Sequence, residues 1–359
     1  PDILMNASEL GQLNDTDYLA DLTPYIGTLD PDKYFTNIID ASLVDGKLFH
    51  LPVSYMIEGI QTDAKYAGAS GTGFTPAEYE KFLNETLNGT DCVPYGQALY
   101  FTKVFNAQSD KFITNGKADF SAPEFAELAE YVKNNVQENS KSWDEMYNDD
   151  MYYSSTVAVG AAAAPVKGDT GNTSPAIYGP VYGISGYFMN MANIQGSGTA
   201  ILGIPSTDGR GPMVSPYVSV AVSAQAQNVD ACGEFVKLLL SDDVQKSLAM
   251  NDNFVLSREA FREGGQKAVE YYNGEGGEYM FGYDYETGLP KDNRLMFSEQ
   301  NINELEKIIE SCSCTNAADA AINLILVEEM PAYFIGQKSL EEVAKIAQDR
   351  AQKVLDERG

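Results

Sequence analysis

Asp45-Gly-Lys-Leu-Phe-His-Leu-Pro-Val-Ser-Tyr55, continuing to Thr62, is the stretch on which the fold turns. Asp45-Gly46 is a tight-turn dipeptide, because glycine adopts positive φ without steric cost. An apolar run follows (Leu48, Phe49, Leu51, Val53) and ends on Tyr55; Met56, Ile57 and Ile60 make a second run. Pro52 has no N–H for a ladder, which argues against an ordinary central strand. The segment 48–62 therefore reads as a strand crossing between two bodies, with Tyr55 facing the gap. The alternative is a plain edge strand with a buried tyrosine.

Outward from that stretch, the chain has 359 residues, the length of about two domains. Hydrophobic residues make up 44%, enough for sizeable cores. With 24 Lys+Arg against 52 Asp+Glu, the net charge is −28, and a field of that sign repels nucleic acid and anionic lipid. No run of 18 apolar residues marks a membrane span. The chain opens on Pro1-Asp-Ile-Leu-Met without a signal-peptide pattern, as if its natural start had been trimmed.

Cys92, Cys232, Cys312 and Cys314 lack zinc-site spacing, and Cys312-Ser-Cys314 is too close for an unstrained mutual bridge. Cys232 reads as a small buried apolar residue; a bridge from Cys92 to one of the C-terminal pair stays open. His50 is the only histidine, so triad and most zinc chemistry lack partners, and it reads as structural.

Helix starts are marked at Thr75-Pro-Ala-Glu78, Ser121-Ala-Pro-Glu124, Asn301-Ile-Asn-Glu304 and Ser339-Leu-Glu-Glu342, each with a capping-box pattern. Apolar stripes follow: Tyr79, Phe82 and Leu83; Phe125, Leu128, Ala129 and Val132; Ala231, Phe235, Leu238 and Leu239; Val343, Ile346, Ala347 and Val354. All read as core faces. Thr156–Gly160 reads as a strand and 166–200 as mostly loop, with Tyr178, Tyr182, Tyr187 and Phe188 interleaved. Tyr217-Val-Ser-Val-Ala-Val-Ser223 alternates with period two and reads as a second crossing strand, again opened by a tyrosine. Trp143 lies in a polar patch.

In order along the chain, Pro1-Asp-Ile-Leu, Leu19-Ala-Asp-Leu-Thr-Pro-Tyr25, Gly46–Tyr55, Gly203-Ile-Pro-Ser-Thr-Asp-Gly-Arg-Gly-Pro212, Ala231–Gln245 and Phe334–Val343 resemble the carbohydrate-type extracellular solute-binding proteins of ATP-binding-cassette importers. The resemblance implies an α/β, two-lobe periplasmic-binding-protein-like fold of type II. Lobe one would be 1–55 plus 217–262, and lobe two 60–215 plus 263–359, with crossings near 54–60 and 213–218. Members carry a strand, a helix and a strand ahead of the Pro-Asp-Ile segment, and these are missing here. The stretch after Val157-Ala-Val-Gly160 carries a sugar-stacking tryptophan in the family; here it reads Ala161–Pro165.

The implied function is to bind a saccharide outside the cell, as a monomer, in the periplasm or as a surface lipoprotein, and to deliver it to a membrane permease without cofactor or catalysis. A sugar site needs aromatic faces for ring C–H groups and amides or carboxylates for hydroxyls. The candidates are Asn6, Ser8 and Glu9 after the first strand, Tyr55 and Tyr217 at the crossings, the loop aromatics Trp143 and Tyr187, and Asn253. Two rivals remain. The same fold could hold ferric ion, through Tyr152-Tyr153 or Tyr271-Tyr272, or a polyamine. An enzyme of the glycosidase type would use two carboxylates.

Overall fold

The structure, a computed structural model, describes residues 1–8, 10–14, 16–138, 175–194, 198–277, 295–315 and 319–357. Its centre is one strand, β2 (Leu51–Asp63). Ahead of it, Asp45 and Gly46 both take positive φ, and Val44 and Lys47 exchange backbone hydrogen bonds, so the turn is the two-residue hairpin that the dipeptide demands.

The main sheet also holds β1 (Ile3–Met5), β5 (Ala176–Val181), β6 (Thr199–Leu202), β7 (Met213–Val222), β8 (Phe254–Val255) and β9 (Cys314–Thr315); β3 (Ile113–Thr114) and β4 (Lys117–Ala118) form a separate hairpin. One edge of β2 pairs with β7 along 51–58 and with β6 along 60–63. The other pairs with β8 at 54–55 and with β5 along 57–62. The strand thus changes partners on both edges midway along its length. It is central, contrary to the edge-strand alternative. Pro52 is accommodated because the β2–β7 ladder slips register between Pro52 and Ser54.

Helices cover both faces. In chain order they are α1 (Thr23–Ile26), α2 (Thr36–Asp40), α3 (Pro76–Glu85), α4 (Gln97–Asn106), α5 (Pro123–Asn135), α6 (Ile184–Asn193), α7 (Val229–Leu238), α8 (Asp242–Met250), α9 (Arg258–Asn273), α10 (Glu299–Ser311), α11 (Ala320–Phe334) and α12 (Leu340–Asp356). One hydrophobic cluster gathers α3, α4, α5, α11 and α12 around Ile60, Tyr178 and Met213. A second gathers α2, α6, α9 and α10 around Leu51, Val53, Tyr55 and Ile57. A small third one joins Leu19, Phe49 and Ala221.

Capping boxes form at Thr75–Glu78 and Ser339–Glu342. The other two expected boxes do not. At α5 the cap position is Ala122, because Ser121 is turned back onto Asp119 Oδ1. α10 starts three residues early, with Asn301 Oδ1 accepting from Ser298 N at 2.8 Å. The segment 166–200 is not loop where described: Ile184, Tyr187, Phe188 and Met191 have helical spacing and pack inward from α6. On α7 the expected stripe is wrong, since Phe235 and Leu238 are exposed while Gly233 and Val236 are buried against Tyr25 and the sheet. Cys232 is only half-buried, and all four cysteines are free thiols. The strand expected at 156–160 lies outside the described residues.

Candidate functional site

Alternation along β2 and β7 assigns each side chain to a face. Leu51, Val53, Tyr55 and Ile57, with Val214, Val218, Val220 and Val222, point into the second cluster. On the opposite face, Ile60 and Met213 enter the first cluster and Ala221 the third. Between those two apolar ends the same face carries Ser54, Met56 and Glu58 on β2 and Ser215, Tyr217 and Ser219 on β7. This polar stretch between apolar clusters, with Ser54, Ser215 and Ser219 buried and Tyr217 exposed, is the candidate groove.

Tyr217 is the outlier of this floor. Tyr55 pairs with Pro216 and Ser54 with Val218, so Tyr217 is the extra residue of a bulge. A bulge re-aims its side chain: Tyr217 is 49% exposed between the half-buried Pro216 and Val218. Its ring meets that of Tyr182, 51% exposed at the end of β5, with centroids 5.6 Å apart and planes at 74°. Edge-to-face contact suits the ring quadrupoles and leaves ring faces open to solvent.

The same face of β2 carries a buried polar cluster. Glu58, 6% exposed, accepts from Lys103 Nζ of α4 at 2.8 Å and from the Tyr178 hydroxyl. Burial first, and then the Glu58 charge, hold the Tyr178 phenol far above its ordinary range, so it stays a donor. Tyr95 stands edge-on to Tyr178, with the Lys103 amine 5.7 Å from its ring centroid. At the bulge, the hydroxyls of Ser54 and Ser219 are buried without a hydrogen-bond partner among the described residues.

The residues expected at the site are distributed unevenly. Tyr55 does not face a gap: it is fully buried, stacked on Phe254 at 5.9 Å, and its hydroxyl donates to Val255 O at 3.3 Å. Tyr187 is equally buried, its hydroxyl donating to Thr199 O at 3.0 Å. Asn253 spends its amide on Leu248 O and Asn251 O, closing the end of α8. Asn6 is exposed in a left-handed conformation and is tied to the groove strand, since its Oδ1 accepts from Ser219 N at 3.0 Å and its N donates to Ser219 O at 2.9 Å. Ser8 is buried. Glu9, Trp143, Tyr152 and Tyr153 lie outside the described residues. Tyr271 is exposed and Tyr272 buried, so that pair does not present two phenols together. Of the expected set, Tyr217 sits on the floor with Asn6 tied to its end. Tyr182, Glu58 and Lys103, which share this candidate region, are not singled out by the sequence pattern. The one sequence signal for Tyr182 is an aromatic set between Gly179-Pro180 and Gly183.

His50 is structural. Its Nε2 lies 3.0 Å from Asn14 Oδ1, its Nδ1 has no partner among the described residues, and burial pushes its pKa down to about 4. A broad depression of about 1230 Å³ lies elsewhere, lined by Asp32, Arg258, Arg262, Glu263, Glu270 and Glu299 among others. It shares no residue with the candidate groove, and its lining is mostly charged, with Tyr34 as its aromatic member. No group of three His, Cys, Asp or Glu among the described residues could hold a metal ion, and no described helix is long and apolar enough to cross a membrane.

Residues 1–271 match the family described as bacterial extracellular solute-binding protein. No curated protein matches the chain. Among solved structures, the sugar-binding protein MalE of the phytopathogen Xanthomonas citri is similar at 15% identity and a TM-score of 0.56, covering 100% of this chain and 84% of its own. The GacH receptor of Streptomyces glaucescens, solved unliganded and with acarbose, is similar at 13% identity and 0.54, covering 99% and 84%. A solute-binding protein of an ABC transporter from Thermotoga lettingae, bound with α-D-tagatose, is similar at 13% identity and 0.51, covering 99% and 85%. At such identities the likeness is one of fold: this mixed α/β chain has the architecture of those binding proteins.

Proposed function

The chain belongs to the bacterial extracellular solute-binding proteins, a family of binding proteins rather than enzymes, and on that premise we propose that its solute is a saccharide, held in the groove and handed to an ABC permease. The observation that carries the reading is Tyr217, extruded by a strand bulge against Tyr182 on the sheet face that also carries Glu58. Aromatic faces accept the C–H side of a pyranose, and nearby carboxylate, amine and hydroxyl groups serve its rim of hydroxyls. The sugar-binding protein MalE and the acarbose-bound GacH receptor among the structural neighbours support the same reading.

We further infer two lobes joined by β2 and β7, as the partner change along β2 at 57–60 suggests. Lobe one takes 1–55 and 217–262 and lobe two begins at 60. The packing of α6 and α10 on the cluster of 22–57 recommends assigning both helices to the first body. Ligand touching both lobes shifts the open–closed equilibrium by its differential affinity for the closed form.

The test is a thermal-shift and calorimetric screen with maltose, maltotriose, acarbose and D-tagatose. Saccharide at about 100 times its Kd should add about 2.7 kcal/mol of stability, and Tyr217→Ala should weaken binding about tenfold while leaving the ligand-free melting temperature nearly unchanged. If no saccharide stabilises the protein, the reading is wrong.

A further inference from the structure

We propose that Asp252 is a positioning residue for the aromatic pair, capping α6 from a distant segment and thereby holding Tyr182 in place. The proposal rests on the reading of Tyr182 as a ligand-facing ring.

α6 begins immediately after Gly183, which occupies its N-cap position and has no side chain to satisfy the free amides of the first turn. The missing acceptor comes from sixty-seven residues further on: Asp252 Oδ1 accepts from Ser185 N at 3.0 Å. A carboxylate at a helix N-terminus also complements the helix dipole.

Asp252 is held for this role. It stands in the left-handed region at φ 61, a conformation tolerated by Asp and Asn, and its own N donates to Ala249 O at 3.0 Å. Asn253 and Lys267 fix the same turn through Leu248 O, Asn251 O and Met250 O. The approach is close enough to exclude a side chain on the other segment: a Cβ at Gly183 would lie 2.0 Å from Asp252 O. The glycine is required by that contact and not by its backbone, whose φ of −167° is ordinary extended geometry. Tyr182 is the residue before this contact, so its backbone direction is set by the α8–β8 turn. Its ring is therefore aimed at Tyr217 by a residue of a distant segment.

The experiment uses the full chain carrying ¹³C-ring-labelled tyrosine, with the Tyr182 signal assigned by its loss in Tyr182→Phe. In Asp252→Ala the Tyr182 signal should move as the Tyr217 ring current is lost, and affinity for the best-stabilising saccharide of maltose, acarbose and D-tagatose should fall about fivefold, the equivalent of one helix cap. Asp252→Asn keeps the acceptor and the left-handed backbone and should restore both. Gly183→Ala should act like Asp252→Ala. An unmoved Tyr182 signal in Asp252→Ala, or an Asp252→Asn protein indistinguishable from Asp252→Ala, overturns the proposal. If no saccharide binds the wild type, the functional reading fails, while the tyrosine spectrum still decides whether Asp252 positions Tyr182.

Discussion

Acid should loosen this protein through its single histidine. His50 is 7% exposed, and burial lowers its pKa from 6.5 to about 4. Between those values the unfolded chain carries a proton on His50 that the folded chain refuses, so stability falls as pH falls. The contribution is fully present above pH 6.5 and is lost toward pH 4. At 1.36 kcal/mol per pKa unit, the loss is about 3 kcal/mol across the window. Glu78, lowered by amides of Thr75 and Ala69, loses its contribution only below the ordinary carboxylate pKa, at lower pH than His50. Asp21 behaves the same way: burial raises it, but hydrogen bonds from Thr23 and Leu48 bring it down overall. Urea unfolding of wild type and His50→Gln should be followed from pH 7.5 to 4. Glutamine can still donate to Asn14 and does not titrate, so the wild type should lose about 3 kcal/mol relative to the variant over that range. Stability curves that stay parallel to within about 0.5 kcal/mol would falsify a neutral buried imidazole.

Three further outcomes are expected. Lys103→Met, which strips the cation from the buried Glu58 carboxylate, should cost about 3 kcal/mol in denaturant unfolding, and adding Glu58→Gln should recover most of it. Gln245→Leu should cost about 3 kcal/mol, because this fully buried amide accepts from Leu256 N and Ser257 N and donates to Leu239 O, three backbone groups left without a partner by leucine. A thiol reagent should modify Cys232 alone in the folded protein and all four cysteines in urea. Cys92 and Cys314 are buried, with burial raising their thiols to about 12, and Cys312 is buried with its pKa raised as well; two fast thiols in the native protein would contradict this packing.

Much of the architecture could be read from local chemistry. The Asp45-Gly46 hairpin, the boxes at Thr75 and Ser339, and the alternating strand at 217–222 each depend on interactions a few residues long. Such signals failed where a competing local partner was available, as when Asp119 captured Ser121 and left α5 to start on Ala122. The stripe on α7 failed differently. Apolar spacing shows which residues share a face, but here Tyr25 packs against Gly233 on another face and leaves Phe235 and Leu238 outside.

The site was less legible than the fold. In the sequence Tyr55 and Tyr217 look alike, each a tyrosine in an apolar strand containing a proline. Composition and local pattern were enough to show that two such strands exist, that the chain is strongly acidic and that its lone histidine has no catalytic partners, while the α/β binding-protein reading came from the family resemblance of its segments. Tertiary pairing alone decided that one ring is sealed in the core and the other stands in solvent. A strand alternates faces strictly, so one unpaired residue changes where a side chain goes. Where that extra residue falls depends on two strands more than 150 residues apart meeting in register.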